Sequence, residues 1–234
     1  MRYLMIVPML LASLANADAP DRVVNRNHYE GTTVIHRGET PETGSGNRIR
    51  QMRPAGEFTR VIADDAMDVE IRIGPRASIE IEGDDNLIDR VSAEAEKGTL
   101  HLRVRGSYRV REPMVARITV PQLERVDLEA SGNARISGLD GGRLALAGHG
   151  SGSFEAEGAV DEVDVRIQGS GDARLDRLRA EAAHIVINGS GNARAHVTGS
   201  LVATVNGTGD IIYLGRPRAV AEDVNGTGRI SRAD

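Results

Sequence analysis

Apolar and polar residues alternate along several short segments between residues 57 and 128. In one of them Val69, Ile71 and Ile73 are separated by charged residues, and Gly74 follows. A period of two turns every second side chain to the same side of a strand, so each segment predicts a β-strand with one buried and one solvated face. A short helical turn is predicted within residues 86–94. Further strands of this kind are predicted at 79–81, 100–104 and 116–120.

A Gly-Ser-Gly or Gly-Thr-Gly motif, which we call the corner, recurs through the second half of the chain. Ala130 replaces the first glycine of the first copy, and a short apolar run precedes each corner. Consecutive corners are 20, 19, 20, 18 and 19 residues apart, and such near-constant spacing favours a solenoid over a sandwich. The six corners are centred on Ser131, Ser151, Ser170, Ser190, Thr208 and Thr227.

One repeat of about 19 residues cannot bury the inner faces of its own strands, whereas stacking the next repeat above it continues the core. The sequence therefore predicts an all-β fold, a single-stranded parallel β-helix (β-solenoid). Parallel crossover connections favour the right hand, so we expect a right-handed coil. Corner glycines such as Gly171 and Gly191 are expected to adopt positive φ, and the corner hydroxyls to bond free backbone groups.

The N-terminus has the three parts of a secretory signal peptide. Arg2 is followed by the apolar residues 4–14, interrupted only by Ser13, and then by small residues that suit cleavage after Ala19 in preference to Ala17. The apolar stretch is too short to cross a bilayer, which needs about 20 residues. We therefore expect an exported protein of the periplasm or cell surface.

The chain divides into three predicted parts. Residues 1–19 are the signal peptide, and residues 20–56 are a polar linker or N-terminal arm, in which Val34 and Ile35 form a possible short edge strand. Residues 57–234 form the solenoid domain, with N-terminal strands at 57–128 and the repeat coils at 129–234.

The amino-acid composition excludes several classes of protein. There is no cysteine, which excludes a disulfide framework and a lipoprotein anchor. The net charge of −5 gives no strong attraction to nucleic acid or to an anionic membrane. There is no tryptophan and few other aromatic residues, so the core must be aliphatic, which suits thin stacked layers.

The repeat resembles the head-GIN domain family of auto-transporter adhesins over roughly residues 57–232. The resemblance lies in the corners, in the segment Asp210-Ile-Ile-Tyr-Leu-Gly215 and in the final Asn225-Gly-Thr-Gly228. Upstream, Phe58-Thr-Arg-Val61, Asp68-Val-Glu-Ile71 and Val120-Pro-Gln-Leu123 fit it as well. The resemblance implies an exported bacterial envelope protein with a β-helical body, and it carries no catalytic or ligand residues.

Two rows of side chains are the candidate binding sites. Asn188, Asn206 and Asn225 precede their corners, where stacked amides could bond one another along the solenoid axis or bind sugar hydroxyls. Arg135, Arg174 and Arg194 follow their corners. On one face their guanidinium groups could meet carboxylates or phosphates, or pair with nearby acidic residues in solvent.

Catalytic and metal chemistry find little support in the sequence. Asp172 and Asp210 lie two coils apart, about 9.6 Å, which is at the wide limit for an inverting glycosidase pair. Their alternative role is to cap the corners. The calcium-binding nonapeptide is absent and the six histidines lack metal-ligand spacing, so neither metal nor cofactor is expected.

We therefore predict a non-enzymatic binding or adhesion module of the cell envelope, which contacts polysaccharide or protein through a solenoid face. One alternative is a structural protein that self-assembles into homo-oligomers. The other is a polysaccharide-active enzyme that uses Asp172 and Asp210.

Overall fold

The computed structural model of the chain describes residues 22–25, 31–36 and 39–233. The predicted signal peptide, residues 1–19, lies outside the described residues. Twenty strands and one 3-10 helix make up the regular structure of the described part, and that helix (Ile88–Arg90) confirms the predicted helical turn. The first ten strands are β1 (Arg22–Asn25), β2 (Thr32–Ile35), β3 (Glu42–Thr43), β4 (Arg48–Arg53), β5 (Phe58–Ala63), β6 (Asp68–Ile73), β7 (Ser78–Asp84), β8 (Val91–Glu96), β9 (Gly98–Val104) and β10 (Tyr108–Val110).

The remaining strands build the repeat region. They are β11 (Val115–Val120), β12 (Arg125–Leu128), β13 (Ala134–Asp140), β14 (Arg143–Gly148), β15 (Phe154–Gly169), β16 (Ala173–Gly189), β17 (Ala193–Gly207), β18 (Asp210–Leu214), β19 (Ala219–Gly226) and β20 (Arg229–Arg232). The long strands β15, β16 and β17 each run from one corner through a bend to the next.

The repeats stack as the sequence predicts, in a β-solenoid of about 5 turns whose parallel bridges lie about 20 residues apart. Strands that precede the corners form what we call the first face: β12, β14, the second halves of β15 to β17, and β19. Strands that follow the corners form the second face: β13, the first halves of β15 to β17, β18 and β20. All these pairs are parallel, which confirms the fold class; the hand of the coil stays a prediction.

Strands β4 to β9 and β11 extend both faces with mixed pairing, whereas β10 lies in a separate four-stranded sheet with β1, β2 and β3. On the first face β5 pairs in parallel with β12 and β9, and β8 is antiparallel to β9. On the second face β6 lies between β13 and β11, and β7 and β4 follow as antiparallel neighbours. The second face therefore runs β4-β7-β11-β6-β13, an order in space that differs from the order in the chain.

The core is mainly aliphatic, although Tyr108 and Phe154 are also fully buried, and in the coils it consists of columns of equivalent residues. Val126, Leu146, Val165 and Ile185 lie in register on successive coils of the first face, and each is at most 1% exposed. The parallel pairing places like residues above one another, so each coil covers the apolar surface of the one before it.

The two glycines of each corner have different roles, which corrects one sequence expectation. Positive φ occurs at the first glycine of the last four corners, with values of 139° at Gly169 and 143° at Gly189. The second glycines, Gly171 and Gly191, are not among the positive-φ residues. A β-carbon on Gly171 would lie 1.9 Å from the Gly152 carbonyl oxygen, and one on Gly191 would lie 2.0 Å from that of Gly171. The expectation of positive φ at Gly171 and Gly191 was wrong, and close approach of successive backbones is what requires glycine there.

The corners are capped by the residue that follows them. Asp172 Oδ1 accepts from the Asn192 backbone N–H at 3.0 Å, and Asn192 Oδ1 accepts from that of Asp210, also at 3.0 Å. In the described residues the corner hydroxyls form no hydrogen bond, and the Ser131 hydroxyl is buried without a partner. The expectation that these hydroxyls bond backbone groups was therefore wrong. The same capping bond recurs from one coil to the next through Asp68, Asn133, Ser153, Asp172, Asn192 and Asp210.

Residues 31–53, part of the predicted linker, contain three paired strands. β2 lies between β1 and β10, so it is an inner strand and not the edge strand predicted at Val34 and Ile35. Val34 is fully buried. β4 pairs with β7 over six residues although its sequence is polar. These pairings depend on distant strands, which explains why local composition did not indicate them. The domain boundary at residue 56 stays a prediction.

Glu82 on β7 joins the three outermost strands of the second face. Its carboxylate accepts from Arg117 at 2.5 Å, from Arg50 at 2.8 Å and from Arg48 at 3.3 Å. The hydrogen bond from Arg117, assisted by those from Arg50 and Arg48, lowers the pKa of Glu82 from 4.5 to about 2. The ionised carboxylate therefore stabilises the packing of β4, β7 and β11.

We expect Gly171→Ala and Gly191→Ala each to lower the free energy of unfolding by more than about 1 kcal/mol, because the new methyl group overlaps a carbonyl of the preceding coil. Urea unfolding measures the change. Gly83→Ala is the matched control, since Gly83 has no positive φ and its β-carbon would meet only the flexible Met114 side chain, at 3.3 Å. Corner variants as stable as this control would contradict the role given to these glycines.

We expect Glu82→Gln to lower the free energy of unfolding at neutral pH by roughly 1–3 kcal/mol, because three charge-assisted hydrogen bonds weaken. A carboxyl whose pKa is depressed by folding stabilises fully above its ordinary value and loses this contribution as pH falls through the folded value. The difference between wild type and variant should therefore shrink between pH 4.5 and about 2. Denaturant titrations across this range test the expectation, with Glu80→Gln as control because its contacts to Arg50 and Arg117 are longer, at 3.8 and 3.7 Å. A constant difference at all pH values would show that Glu82 does not act through its charge.

Candidate functional site

The asparagine row on the first face forms a hydrogen-bonded ladder. Asn188, Asn206 and Asn225 lie in register on three coils. The Asn206 amide donates to Asn188 Oδ1 at 2.7 Å, and the Asn225 amide donates to Asn206 Oδ1 at 3.1 Å. This confirms the structural alternative, in which the amides satisfy one another. A role of these residues in sugar binding stays a prediction.

The three arginines lie on one outward row of the second face, as the sequence predicts. Arg174 pairs in register with Arg194, whereas Glu155 lies between Arg135 and Arg174. Arg135 Nε is 3.5 Å from Glu155, and Arg174 is 3.9 Å from Asp172. Arg194 is exposed and has no ion pair among the described residues. The row therefore mixes paired and unpaired cations, and its role in ligand binding stays a prediction.

A groove of about 720 Å³ lies on the outer side of the second face, across β7, β11, β6, β13 and β15. One row of side chains along it, which we call the charge row, alternates in sign from strand to strand. Arg117 Nε is 3.0 Å from Glu70, and Arg177 contacts Glu155 and lies 3.6 Å from Glu157. The charge row consists of Glu80, Arg117, Glu70, Arg135 and Glu155.

A second row, two residues further along the strands, is chemically different. We call it the hydroxyl row: Ser78 on β7, Thr119 on β11, Arg72 on β6 and Ser137 on β13, each in register with the next. All four line the groove, and none of their side chains forms a hydrogen bond or ion pair with another residue of the described chain. This row supplies one guanidinium and three hydroxyls that have no partner in the described part of the chain, on neighbouring strands about 4.8 Å apart.

The ends of the groove are shaped by a bulge and by an exposed methionine. The register between β15 and β16 shifts between Glu155 and Glu157, which directs Glu157 and Arg177 toward one end of the groove. At the other end Met52 on β4 is 63% exposed. Most of the residues that line the groove are therefore polar or charged, and Met52 adds a flexible apolar side chain at the rim.

A second cavity, of about 520 Å³, lies where the four-stranded sheet β1-β2-β10-β3 meets the solenoid. Its Asp65 is 4% exposed; Oδ2 accepts from the Val104 N–H at 2.7 Å, and Oδ1 is buried without a partner. Burial raises the pKa of the Asp65 carboxyl. Nearby, Glu39 accepts from the Ser107 N–H at 2.9 Å and from its hydroxyl at 3.2 Å. Glu39 is thus engaged by Ser107 across the junction, whereas Asp65 keeps one buried oxygen without a partner in the described residues.

The two aspartates considered for catalysis both belong to the capping series. Asp172 Oδ1 accepts from the backbone and the side-chain amide of Asn192, and Asp210 Oδ1 accepts from the Arg229 N–H at 2.8 Å. They lie two coils apart with Asn192 between them. Their oxygens therefore have a structural function. Within the described residues, no group of three or more histidine, aspartate or glutamate side chains could hold a metal ion.

The sequence predicts that Arg135, Arg174 and Arg194 lie on one face, but it does not predict the hydroxyl row. Only the alternation around Arg72 indicated that this residue faces outward. Its neighbours Thr119 and Ser137 come from strands 47 and 65 residues away in the chain. Their alignment depends on the pairing of β6 with β11 and β13, which no local pattern shows.

Comparisons with known proteins agree with this architecture. The crystal structure of a "putative adhesin" from Bacteroides fragilis is similar with a TM-score of 0.68 and 24% identity, covering 82% of this chain and 99% of that one. The structure of a "putative lipid binding protein" from Parabacteroides distasonis has a TM-score of 0.54 and 20% identity, covering 83% and 100%. At these identities the likeness shows the fold alone. No curated protein matches the chain.

A family profile matches most of the solenoid. The family is described as "Putative auto-transporter adhesin, head GIN domain", and the match spans residues 57–217. It covers the groove strands β6, β7, β11, β13 and β15 as well as the coils up to β18. The chain belongs to the head-GIN domain family.

Proposed function

We propose that this chain is a non-enzymatic binding module of the cell envelope, which contacts polysaccharide through the groove on the second face. The observation that carries the proposal is the hydroxyl row, with its free guanidinium and free hydroxyls in a groove of about 720 Å³. Polar groups without protein partners are available to a polar ligand, and sugars offer many hydroxyls that can both donate and accept.

The family description and the names of the similar structures support a binding role. They speak of adhesins, and they suggest an exported or surface protein. The predicted signal peptide at residues 1–19 agrees with export, so we place the module in the periplasm or at the cell surface. The use of Asp172 and Asp210 as corner caps weighs against the enzymatic alternative.

Lipid binding, the activity named for the Parabacteroides protein, fits this surface less well. Among the described residues the exposed large apolar side chains are those of Met52, Val202, Val220 and Val224, and only Met52 lines the groove. A lipid tail would need a wider apolar surface. In the described part of the chain no helix is long and apolar enough to cross a membrane.

Self-assembly by end-to-end stacking is disfavoured by charges at inward positions of the last described coil. Glu222 lies in register with Ala203 and therefore in the column of the core residue Ile185. Arg232 lies in register with Tyr213 on the second face. An inward-pointing charge opposes the addition of another strand, because that strand would bury the charge.

The proposal is tested with residues 20–234 on an array of glycans and envelope polysaccharides. We expect binding that Ser137→Tyr weakens by at least about tenfold, because the ring fills the groove without changing charge. Thr204→Tyr is the matched control, since Thr204 occupies an outward strand position on the first face. We also expect replacement of Arg135, Arg174 and Arg194 by alanine to weaken binding.

A blank array would contradict the proposal, as would binding that Ser137→Tyr and Thr204→Tyr leave equally strong. Binding confined to an envelope protein would replace polysaccharide by protein as the partner. Both tyrosine variants should retain the wild-type melting temperature, which shows that a loss of binding is not a loss of folding.

A further inference from the structure

We propose that the groove selects polysaccharides that bear carboxylates, and that Arg72 is the residue that binds the carboxylate. This inference rests on the proposed function and adds the class of sugar. Ser78, Thr119 and Ser137 bind the hydroxyls or ring oxygens of the same chain of sugars, along the row that they form with Arg72.

The pairing of charges in the groove singles out Arg72. Four arginines and four glutamates line it, so its formal charge is balanced. Arg117 pairs with Glu70 and Glu80, and Arg177 pairs with Glu155 and Glu157. Arg135 also contacts Glu155. All four carboxylates are thus engaged by three arginines, so among the described residues that line the groove Arg72 is the arginine without an ion-pair partner.

The neighbours of Arg72 suit a carboxylated sugar. Thr119 lies in register on one side and Ser137 on the other, each on an adjacent strand. A guanidinium can donate two parallel hydrogen bonds to a carboxylate, and flanking hydroxyls can bind the polar groups on either side of it. The whole row, from Ser78 to Ser137, spans about 14 Å at the usual strand spacing, enough for more than one sugar unit.

An acidic peptide fits the same surface less well. β11 and β6, which carry Thr119 and Arg72, are hydrogen-bonded to strands on both sides, so a peptide strand cannot be added beside Arg72. The described residues that line the groove also include none of the aromatic anchors on which protein interfaces usually depend. The chemistry of the hydroxyl row therefore favours a sugar polymer.

The test compares two forms of one polymer, polygalacturonate and its methyl ester, which differ in charge but not in their sugar backbone. We expect wild type to bind the acid form at least about tenfold more tightly than the ester in calorimetric titration. Arg72→Gln should reduce binding of the acid form to the level of the ester, and Arg72→Lys should give an intermediate affinity because the two parallel hydrogen bonds are lost.

Two controls isolate the effect. Arg216→Gln removes another exposed arginine that has no partner among the described residues and lies outside the groove, and it should leave binding unchanged. Because Arg72 has no hydrogen bond or ion pair with another side chain of the described residues, Arg72→Gln should keep the wild-type melting temperature. Inorganic phosphate is added as a competitor, and effective competition at millimolar or lower concentration would assign the site to phosphate and overturn the inference.

The outcomes separate this inference from the proposed function. Equal binding of acid and ester, blocked by Ser137→Tyr but not by Arg72→Gln, would overturn the inference and leave the groove as a site for neutral polysaccharide. Failure of wild type to bind any polysaccharide on the array would overturn both. Loss of binding in Arg216→Gln as strong as in Arg72→Gln would also count against a specific role for Arg72.

Discussion

Main-chain hydrogen bonding between successive coils sets the position of every outward side chain in this protein. Each strand of the repeat coils pairs in parallel with its equivalent one coil away, and the second glycines of the corners bring the backbones into direct contact. A side chain at Gly171 would force two coils apart and disturb the pairing on both faces. The capping series from Asp68 to Asp210 adds one hydrogen bond per coil at the same corner. Together these contacts fix the register on which the surface depends.

Because the register is fixed, residues on neighbouring strands align in rows. The rows differ in how many of their polar groups have a hydrogen-bond or ion-pair partner. The asparagine ladder binds itself, and the charge row is neutralised by ion pairs between neighbouring strands. Such exposed ion pairs contribute little stability, but they leave few free charges on the face. The hydroxyl row is the exception, since Arg72 and its neighbours have no partner in the described chain. The polar groups that are available to a ligand are therefore concentrated in the hydroxyl row.

The groove lies where the regular repeat coils meet the upstream strands, which pair in both parallel and antiparallel directions. Strands β13 and β15 belong to the coils, whereas β6, β11 and β7 belong to the upstream segment, with antiparallel pairing between β7 and β11. Glu82 holds this extension together through Arg48, Arg50 and Arg117. The proposed binding groove and the stability of the sheet are thus linked at this junction, because Arg117 belongs both to the charge row of the groove and to the Glu82 contacts.

The sequence by itself determined the solenoid, its coil length and the outward position of the three arginines, because a repeat of about 19 residues and alternation of period two are local patterns. It also identified Asn188, Asn206 and Asn225 as a ladder. Only the tertiary structure decided that Gly171 serves close contact instead of positive φ, that β4 joins the second face, and that Ser78, Thr119, Arg72 and Ser137 form one row. These features depend on which distant strands pair. The spatial order β7-β11-β6-β13 differs from the order of these strands in the chain. Pairing between distant segments produces no periodic pattern in the sequence, so local analysis cannot detect it.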